Sequence, residues 1–190
     1  MPVRRIVLAI SGASGTPYAK RLFDILLESG AKIDVVLSKT GERIWSDETG
    51  ESLSYFERPN SALHKDNNLF VNIASGSSHW DSIVVIPASM GTIGRIANGI
   101  SDSLITRSAD VALKERRKLI LVSRETPLSL IHLENMTKIT RAGGIILPAS
   151  PAFYQKPQTI DDMVDFVVGR VLDQLGINQT IVPEWDYSPE

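Results

Sequence analysis

The chain has 190 residues, 43% hydrophobic and 22% charged, which fits one folded domain with a full core rather than a disordered or fibrous protein. Its net charge of -2 gives no general positive field, so we expect neither nucleic acid nor a membrane as a partner. The absence of cysteine excludes disulfides, thiolate nucleophiles and thiolate metal sites, and it favours a reducing compartment.

The first predicted element is a strand at residues 6–10, a continuous apolar run that leads into the small-residue turn SGASG at 11–15. A helix follows, with Pro17 in its first turn and Gly30 as its stop. The apolar run is too short for the core of a signal peptide, and no later stretch reaches the roughly 18 apolar residues of a membrane span. We therefore expect a cytoplasmic protein.

The alternation of strand and helix continues along the chain. Further strands are predicted at 33–37, 83–86, 119–122 and 145–147, and further helices at 104–116, 128–141 and 160–175. This order predicts an α/β fold with a mostly parallel sheet that is covered by helices on both sides.

Two segments do not fit the alternation. Residues 48–82 are polar and irregular, and they predict a short helix or a lid. The tail at 176–190 contains Trp185 but is not expected to form a core element. We expect a single domain over 1–190.

Ligands of parallel sheets collect at the carboxyl ends of the strands, where SGASG at 11–15 and SMGT at 89–92 both lie. These turns offer hydroxyls and backbone N–H groups with little bulk, which suits a phosphate or a flavin edge, although each also suits an ordinary tight turn. The spacing of Gly12 and Gly15 is not the G-x-G-x-x-G dinucleotide pattern and favours a mononucleotide. Ser38 would lie at the same edge, either near the ligand or as a helix cap.

Basic residues form the strongest further signal. Arg107 and Lys114 are seven residues apart, on one face of a predicted helix. Arg124 ends a buried strand beside Glu125, so the two could bind phosphate and move a proton, or form an ordinary ion pair. The histidines show no metal-site spacing, and we expect no metal.

Several motifs in order are similar to those of the UbiX-type flavin prenyltransferases. They are SGASG at 11–15, PASMGT at 87–92, ADVALKERR at 109–117, RETPL at 124–128, IHLENM at 131–136 and PAFY at 151–154. The resemblance covers nearly the whole chain apart from the irregular middle and the tail. It implies a Rossmann-like (flavodoxin-like) three-layer sandwich.

This resemblance implies an enzyme that joins the dimethylallyl group of dimethylallyl monophosphate to N5 and C6 of reduced FMN without a metal, releasing phosphate. It implies a homo-oligomer, a dodecamer with flavin at subunit contacts, whose product, prenylated FMN, serves UbiD-type decarboxylases.

The resemblance also implies roles for individual residues. The implied flavin contacts are Gly12, Ala13, Ser14, Ser38, Ser89, Met90, Gly91, Thr92 and Arg124. The implied contacts to the prenyl phosphate are Arg107, Lys114, Tyr154 and Arg170, with Arg107 and Lys114 supplied by a neighbouring subunit. The implied catalytic residues are Ser14, Glu48, Glu125 and Lys114.

Two alternatives remain open. One is a flavin-dependent decarboxylase of the related cysteine-decarboxylase superfamily. That group carries a PASANT motif, a catalytic His and often a Cys, whereas this chain continues PAS with Met90 and Gly91 and has no Cys. The other is a non-catalytic flavin-binding or partner-docking protein. The presence of four charged residues argues against it: Glu48, Glu125, Lys114 and Arg170.

Overall fold

The computed structural model describes residues 4–183 and contains one sheet of six strands. The strands are β1 (Arg5–Ile10), β2 (Lys32–Leu37), β3 (Ser61–Lys65), β4 (Ser82–Ala88), β5 (Lys118–Ser123) and β6 (Ile145–Pro148). All neighbouring strands are parallel, in the order β3-β2-β1-β4-β5-β6. This is the Rossmann strand order, and it confirms the predicted fold class.

Within residues 4–183, six α-helices connect or follow the strands. They are α1 (Thr16–Glu28), α2 (Lys39–Thr49), α3 (Met90–Ala97), α4 (Leu104–Lys114), α5 (Leu130–Arg141) and α6 (Ile160–Leu175). Side-chain N-caps set the start of most of them: α5 begins at Leu130 rather than at 128, because the Ser129 hydroxyl accepts the N–H of His132. The helix predicted to end at 116 ends at Lys114, and Arg116 adopts a left-handed backbone with φ 57°.

Each face of the sheet carries its own apolar layer. Alternate residues of β1 divide between the layers: Leu8 packs with α1 and α6 on one face, and Val7 packs with α3, α4 and α5 on the other. The sheet is therefore covered on both sides, as expected for parallel strands that read as continuous apolar runs.

The irregular segment contains short helical structure, as one of the two predictions for it stated, and also a strand that the sequence did not predict. It holds two short 3-10 helices, Leu53–Phe56 and Asn72–Ala74, with the edge strand β3 between them. Most of β3 is only partly buried, so its sequence SALHK lacks the apolar run that marks the central strands.

The start of the tail docks onto α6. Val182 is buried, and its Cγ2 would lie 2.6 Å from a Cβ placed at Gly169, so the tail approaches the helix where that side chain is absent. Trp185 lies outside the described residues. Over residues 4–183, no helix has the length and apolar character needed to cross a membrane.

Candidate active site

The turns after β1, β2 and β4 meet at the carboxyl edge of the sheet. The chain runs from β1 outward to β2 and β3 and then returns to β4 on the other side of β1, which makes this edge a topological switch point. Ser11 joins two of the turns, because its buried hydroxyl donates to Pro87 O at 2.9 Å and accepts the N–H of Ser89 at 2.8 Å.

Serine side chains cap two helices at this edge. Ser38 Oγ accepts the N–H of Gly41 at 3.0 Å at the start of α2, and Ser89 Oγ accepts the N–H of Thr92 at 3.3 Å at the start of α3. Ser38 is therefore a helix cap, which is one of the two roles that the sequence predicted for it. The other N–H groups of each first turn have no intrahelical partner, so they are available to an anionic or polar ligand.

A cleft of about 360 Å³ opens between these turns. Five of the predicted flavin contacts line it: Gly12, Ser38, Ser89, Gly91 and Thr92. Gly12 is needed for close packing of the protein itself, since a Cβ at this position would lie 2.9 Å from Thr40 Cγ2.

The remaining predicted flavin contacts lie on the same turns. Ala13 is buried, and its N–H donates to Ser11 O at 2.9 Å. Met90 is the first residue of α3, and its side chain is buried in the core layer beneath that helix. At the start of the helix it therefore offers its backbone rather than its thioether to a ligand. Arg124 Nε donates to Ser14 O at 3.2 Å, which brings the end of β5 to the first turn.

Glu48 is brought to the same turn from near the end of α2. Its carboxylate accepts the N–H groups of Gly15 at 2.9 Å and Thr16 at 2.8 Å, and also the Thr16 hydroxyl at 2.8 Å. Gly15 is the N-cap of α1 with φ 118°, a conformation that glycine adopts without strain. The carboxylate thus occupies the positive end of the α1 dipole.

This environment fixes the ionisation state of Glu48. Partial burial alone would raise the pKa of the carboxyl, but hydrogen bonds from Ser14, Gly15 and Thr16 outweigh it and lower the pKa below its ordinary value. Glu48 is therefore a carboxylate at neutral pH.

Glu125 lies beside this group at the end of β5. It is exposed, and its Oε1 accepts the N–H of Thr126 at 3.1 Å. Within residues 4–183 it forms no ion pair with Arg124, whose guanidinium turns to Ser14 instead. The carboxylate therefore remains open to solvent or to a ligand.

The predicted phosphate contacts lie elsewhere on the chain. Arg107 and Lys114 lie on α4; Arg107 donates to Ala74 O at 3.0 Å, and Lys114 pairs with Glu115 at 2.5 Å. Since α4 leads into β5, Lys114 lies toward the amino edge of the sheet, opposite the cleft.

The other two belong to the α6 side of the molecule. Arg170 is on the exposed side of α6 and pairs with Asp173, and Tyr154 packs edge-on against Phe166 with ring centroids 6.0 Å apart. None of these four residues is among those that line the cleft of its own chain.

Sequence reasoning missed two residues that organise the site. Asp66 lines the cleft and holds the start of α4, accepting the N–H of Ile105 at 3.0 Å. Because Asp66 directly follows β3, recognising that strand would have placed it at this edge. Ser11 belongs to the SGASG motif at 11–15, but only the structure reveals its hydrogen bonds to the turn after β4. Among residues 4–183, no cluster of three or more His, Asp or Glu could hold a metal ion.

Comparison with known proteins identifies the family. The Flavoprotein family model matches residues 1–172. Flavin prenyltransferase UbiX of Thermoplasma acidophilum is 47% identical over 95% of this chain and 99% of its own length. Flavin prenyltransferase UbiX of Methanocaldococcus jannaschii is 43% identical over 95% of this chain and 98% of its own.

Solved structures agree with the sequence matches. AnUbiX (PadA1) in complex with FMN and dimethylallyl pyrophosphate is 40% identical, with a TM-score of 0.94 over 98% of this chain and 100% of that one. A dodecameric FMN-dependent UbiX-like decarboxylase from Escherichia coli O157:H7 is 39% identical, with a TM-score of 0.92 over 96% of this chain and 100% of that one. The chain therefore belongs to the Flavoprotein family and, within it, to the UbiX flavin prenyltransferases.

Proposed function

We propose that this chain is a flavin prenyltransferase that transfers the dimethylallyl group of dimethylallyl monophosphate to N5 and C6 of reduced FMN and releases phosphate. The observation that carries the proposal is the meeting of three β-α turns at the switch point, with the Glu48 carboxylate fixed on one of them. A member of the same family, 40% identical, has been solved with FMN and a dimethylallyl donor, which supports both ligands.

The residues of the cleft fit a flavin mononucleotide. Ser38, Ser89 and Thr92 supply hydroxyls, and the first turns of α2 and α3 supply N–H groups suited to a phosphate or a ring carbonyl. The Arg124 guanidinium adds a cation at the first turn. When bound, reduced FMN supplies the electron-rich ring that receives the prenyl group.

Phosphate departure requires fixed positive charge, because an allylic carbon becomes cationic as the phosphate leaves it as an anion. Arg107, Lys114 and Arg170 are the proposed cations, and Tyr154 is the proposed hydroxyl contact. Since none of them lines the cleft of its own chain, the proposal includes neighbouring subunits that complete each site.

Exposed apolar side chains support such an assembly. Leu130 is 70% exposed, Ile131 68%, Phe153 71% and Ile160 78%, which is unusual for large apolar residues on a monomer. The family member from Escherichia coli is dodecameric, and we propose the same state for this chain.

Two carboxylates are proposed for the proton steps. Glu48 is ionised and hydrogen-bonded to the turn that contains Ser14, so it can orient that turn and accept a proton from it. Glu125 is the proposed acceptor of the proton released from C6, with the departing phosphate as its competitor. The product is proposed to serve UbiD-type decarboxylases, and the cytoplasmic location stays a prediction.

The test is anaerobic incubation of the purified protein with reduced FMN and either dimethylallyl monophosphate or the pyrophosphate, followed by mass spectrometry of the released flavin. A flavin heavier by one C5H8 unit supports the proposal, and the donor that yields it identifies the substrate. Unmodified flavin, released from protein that demonstrably bound it, would overturn the proposal in favour of a decarboxylase or a binding protein.

A further inference from the structure

The segment between β3 and β4, residues 66–81, contacts α4, the helix that carries Arg107 and Lys114. Arg107 Nε donates to Ala74 O at 3.0 Å, and the buried Ser108 hydroxyl donates to Ile73 O at 3.3 Å. These contacts attach one side of α4 to the backbone of this segment.

Arg117 anchors the next part of the segment, the loop at residues 75–79. One guanidinium nitrogen donates to Gly76 O at 2.6 Å and to Ser78 O at 2.7 Å, and the guanidinium lies 4.4 Å from the centre of the buried Trp80 ring. A planar guanidinium held by two carbonyls and an aromatic face has little freedom. The loop backbone at Gly76 is therefore fixed against the end of α4.

Gly76 lies directly against the Lys114 ammonium. A Cβ built on Gly76 would be 2.6 Å from Lys114 Nζ and would also overlap the Glu115 carboxylate that binds it. Lys114 and Glu115 are 2.5 Å apart, and this hydrogen bond lowers the pKa of Glu115 below its ordinary value. The missing side chain at Gly76 leaves the space that the Lys114–Glu115 pair occupies.

We infer that Gly76, held in place by Arg117, is a positioning residue that sets the location of the Lys114 ammonium and hence the affinity for the prenyl phosphate. The inference rests on the proposed function, in which Lys114 contacts that phosphate. Gly76 acts through Lys114 and need not touch the substrate.

The test is Gly76→Ala in the full-length, FMN-loaded protein. Gly76 does not have a left-handed backbone, so alanine is tolerated there, and its methyl group meets only the flexible ends of two side chains. We expect the KM for dimethylallyl monophosphate to rise about tenfold, which corresponds to the loss of roughly one charge-assisted hydrogen bond. We expect kcat and FMN affinity to stay nearly unchanged. Calorimetric titration of the oxidised-FMN protein with the same ligand should show an equal rise in Kd without turnover.

Ser77→Ala is the matched control, since Ser77 is exposed and its hydroxyl contacts only Ser75 among residues 4–183. If Gly76 acts through Lys114, the Kd of Gly76→Ala/Lys114→Ala should equal that of Lys114→Ala alone. Normal wild-type turnover with an unchanged KM and Kd in Gly76→Ala would overturn the positioning role only. A wild-type protein that never prenylates FMN would overturn the proposed function and this inference together.

Discussion

The Glu48 carboxylate accepts two hydrogen bonds from Thr16, one from its backbone N–H and one from its hydroxyl, each 2.8 Å long. Thr16 is the first residue of α1, and Glu48 lies 32 residues later, near the end of α2. Parallel pairing of β1 with β2 places the starts of both helices at the same edge, and the packing of α2 brings Glu48, near its far end, to the positive end of α1. This contact joins the turn at residues 11–15, which carries several predicted flavin contacts, to the Glu48 carboxylate proposed for proton transfer.

Replacing Glu48 with glutamine should lower turnover by about a hundredfold, within the usual range for loss of an acid-base group. The amide keeps one acceptor but turns a donor toward the N–H groups of Gly15 and Thr16. FMN affinity should decrease less than the rate does, because Glu48 does not itself line the flavin cleft. Single-turnover rates measured anaerobically check this expectation. Asp47→Asn on the same helix is the control, and equal rates for both variants would contradict the role of Glu48.

The lowered pKa of Glu48 should also appear in stability. A carboxyl whose pKa is lower when folded than its unfolded value, near 4.3, stabilises the protein fully above that value. The contribution is lost as pH falls through the folded pKa. The Tm difference between wild type and Glu48→Gln should therefore stay constant from pH 7 to about 5 and shrink below about 4. A difference that grows with acidity would contradict the assigned direction.

The central part of the fold could be predicted because its residues are continuously apolar. The strand at 6–10, its small-residue turn and the following helix with Pro17 in its first turn all appear as expected. The strand β3 could not be predicted in this way: an edge strand is covered on fewer sides, and residues such as His64 and Lys65 carry no apolar signal. Missing that strand also hid Asp66.

The site was only partly predictable for a different reason. Ser38 and Ser89 each directly follow a recognisable strand, so their position at the carboxyl edge follows from the order of elements. The contact of Glu48 with Gly15 depends on tertiary packing, which spacing does not encode; family resemblance implied a role for Glu48 but not this contact. That Lys114 and Arg170 do not line the cleft likewise becomes visible only in the folded chain.

Replacing Ser11 with alanine should loosen the flavin cleft. The hydroxyl joins Pro87 O and the N–H of Ser89, and the residue is fully buried, so its loss leaves both backbone groups without this partner. We expect a loss of about 1–3 kcal/mol in the free energy of unfolding together with weaker FMN binding. Denaturant titration and flavin fluorescence measure the two effects. The exposed Ser77→Ala provides the comparison, and equal stability of the two variants would contradict the bridging role.

Replacing Glu125 with glutamine separates binding from chemistry. Its Oε1 accepts only the N–H of Thr126 among the described residues, and an amide oxygen can keep that contact. We therefore expect unchanged FMN binding and a decrease of about 10²-fold or more in the rate of prenyl transfer. Glu134→Gln, an exposed carboxylate on α5, is the control. An unchanged rate would assign the proton from C6 to the released phosphate instead.

Assembly should depend on the exposed apolar start of α5. Leu130 is 70% exposed in the first turn of this helix, and an aspartate there would interact favourably with the helix dipole, so the isolated subunit should remain folded. In a subunit contact the same carboxylate would be desolvated without a partner, which is strongly unfavourable. Leu130→Asp should therefore lower the mass measured by light scattering while circular dichroism stays native. Ser46→Asp, at an exposed polar position of α2, should keep the wild-type mass.

Because neighbours are proposed to supply Arg107 and Lys114, the dissociated Leu130→Asp subunit should also lose prenyl transfer. Full activity in a monomer would show that one chain forms the whole site.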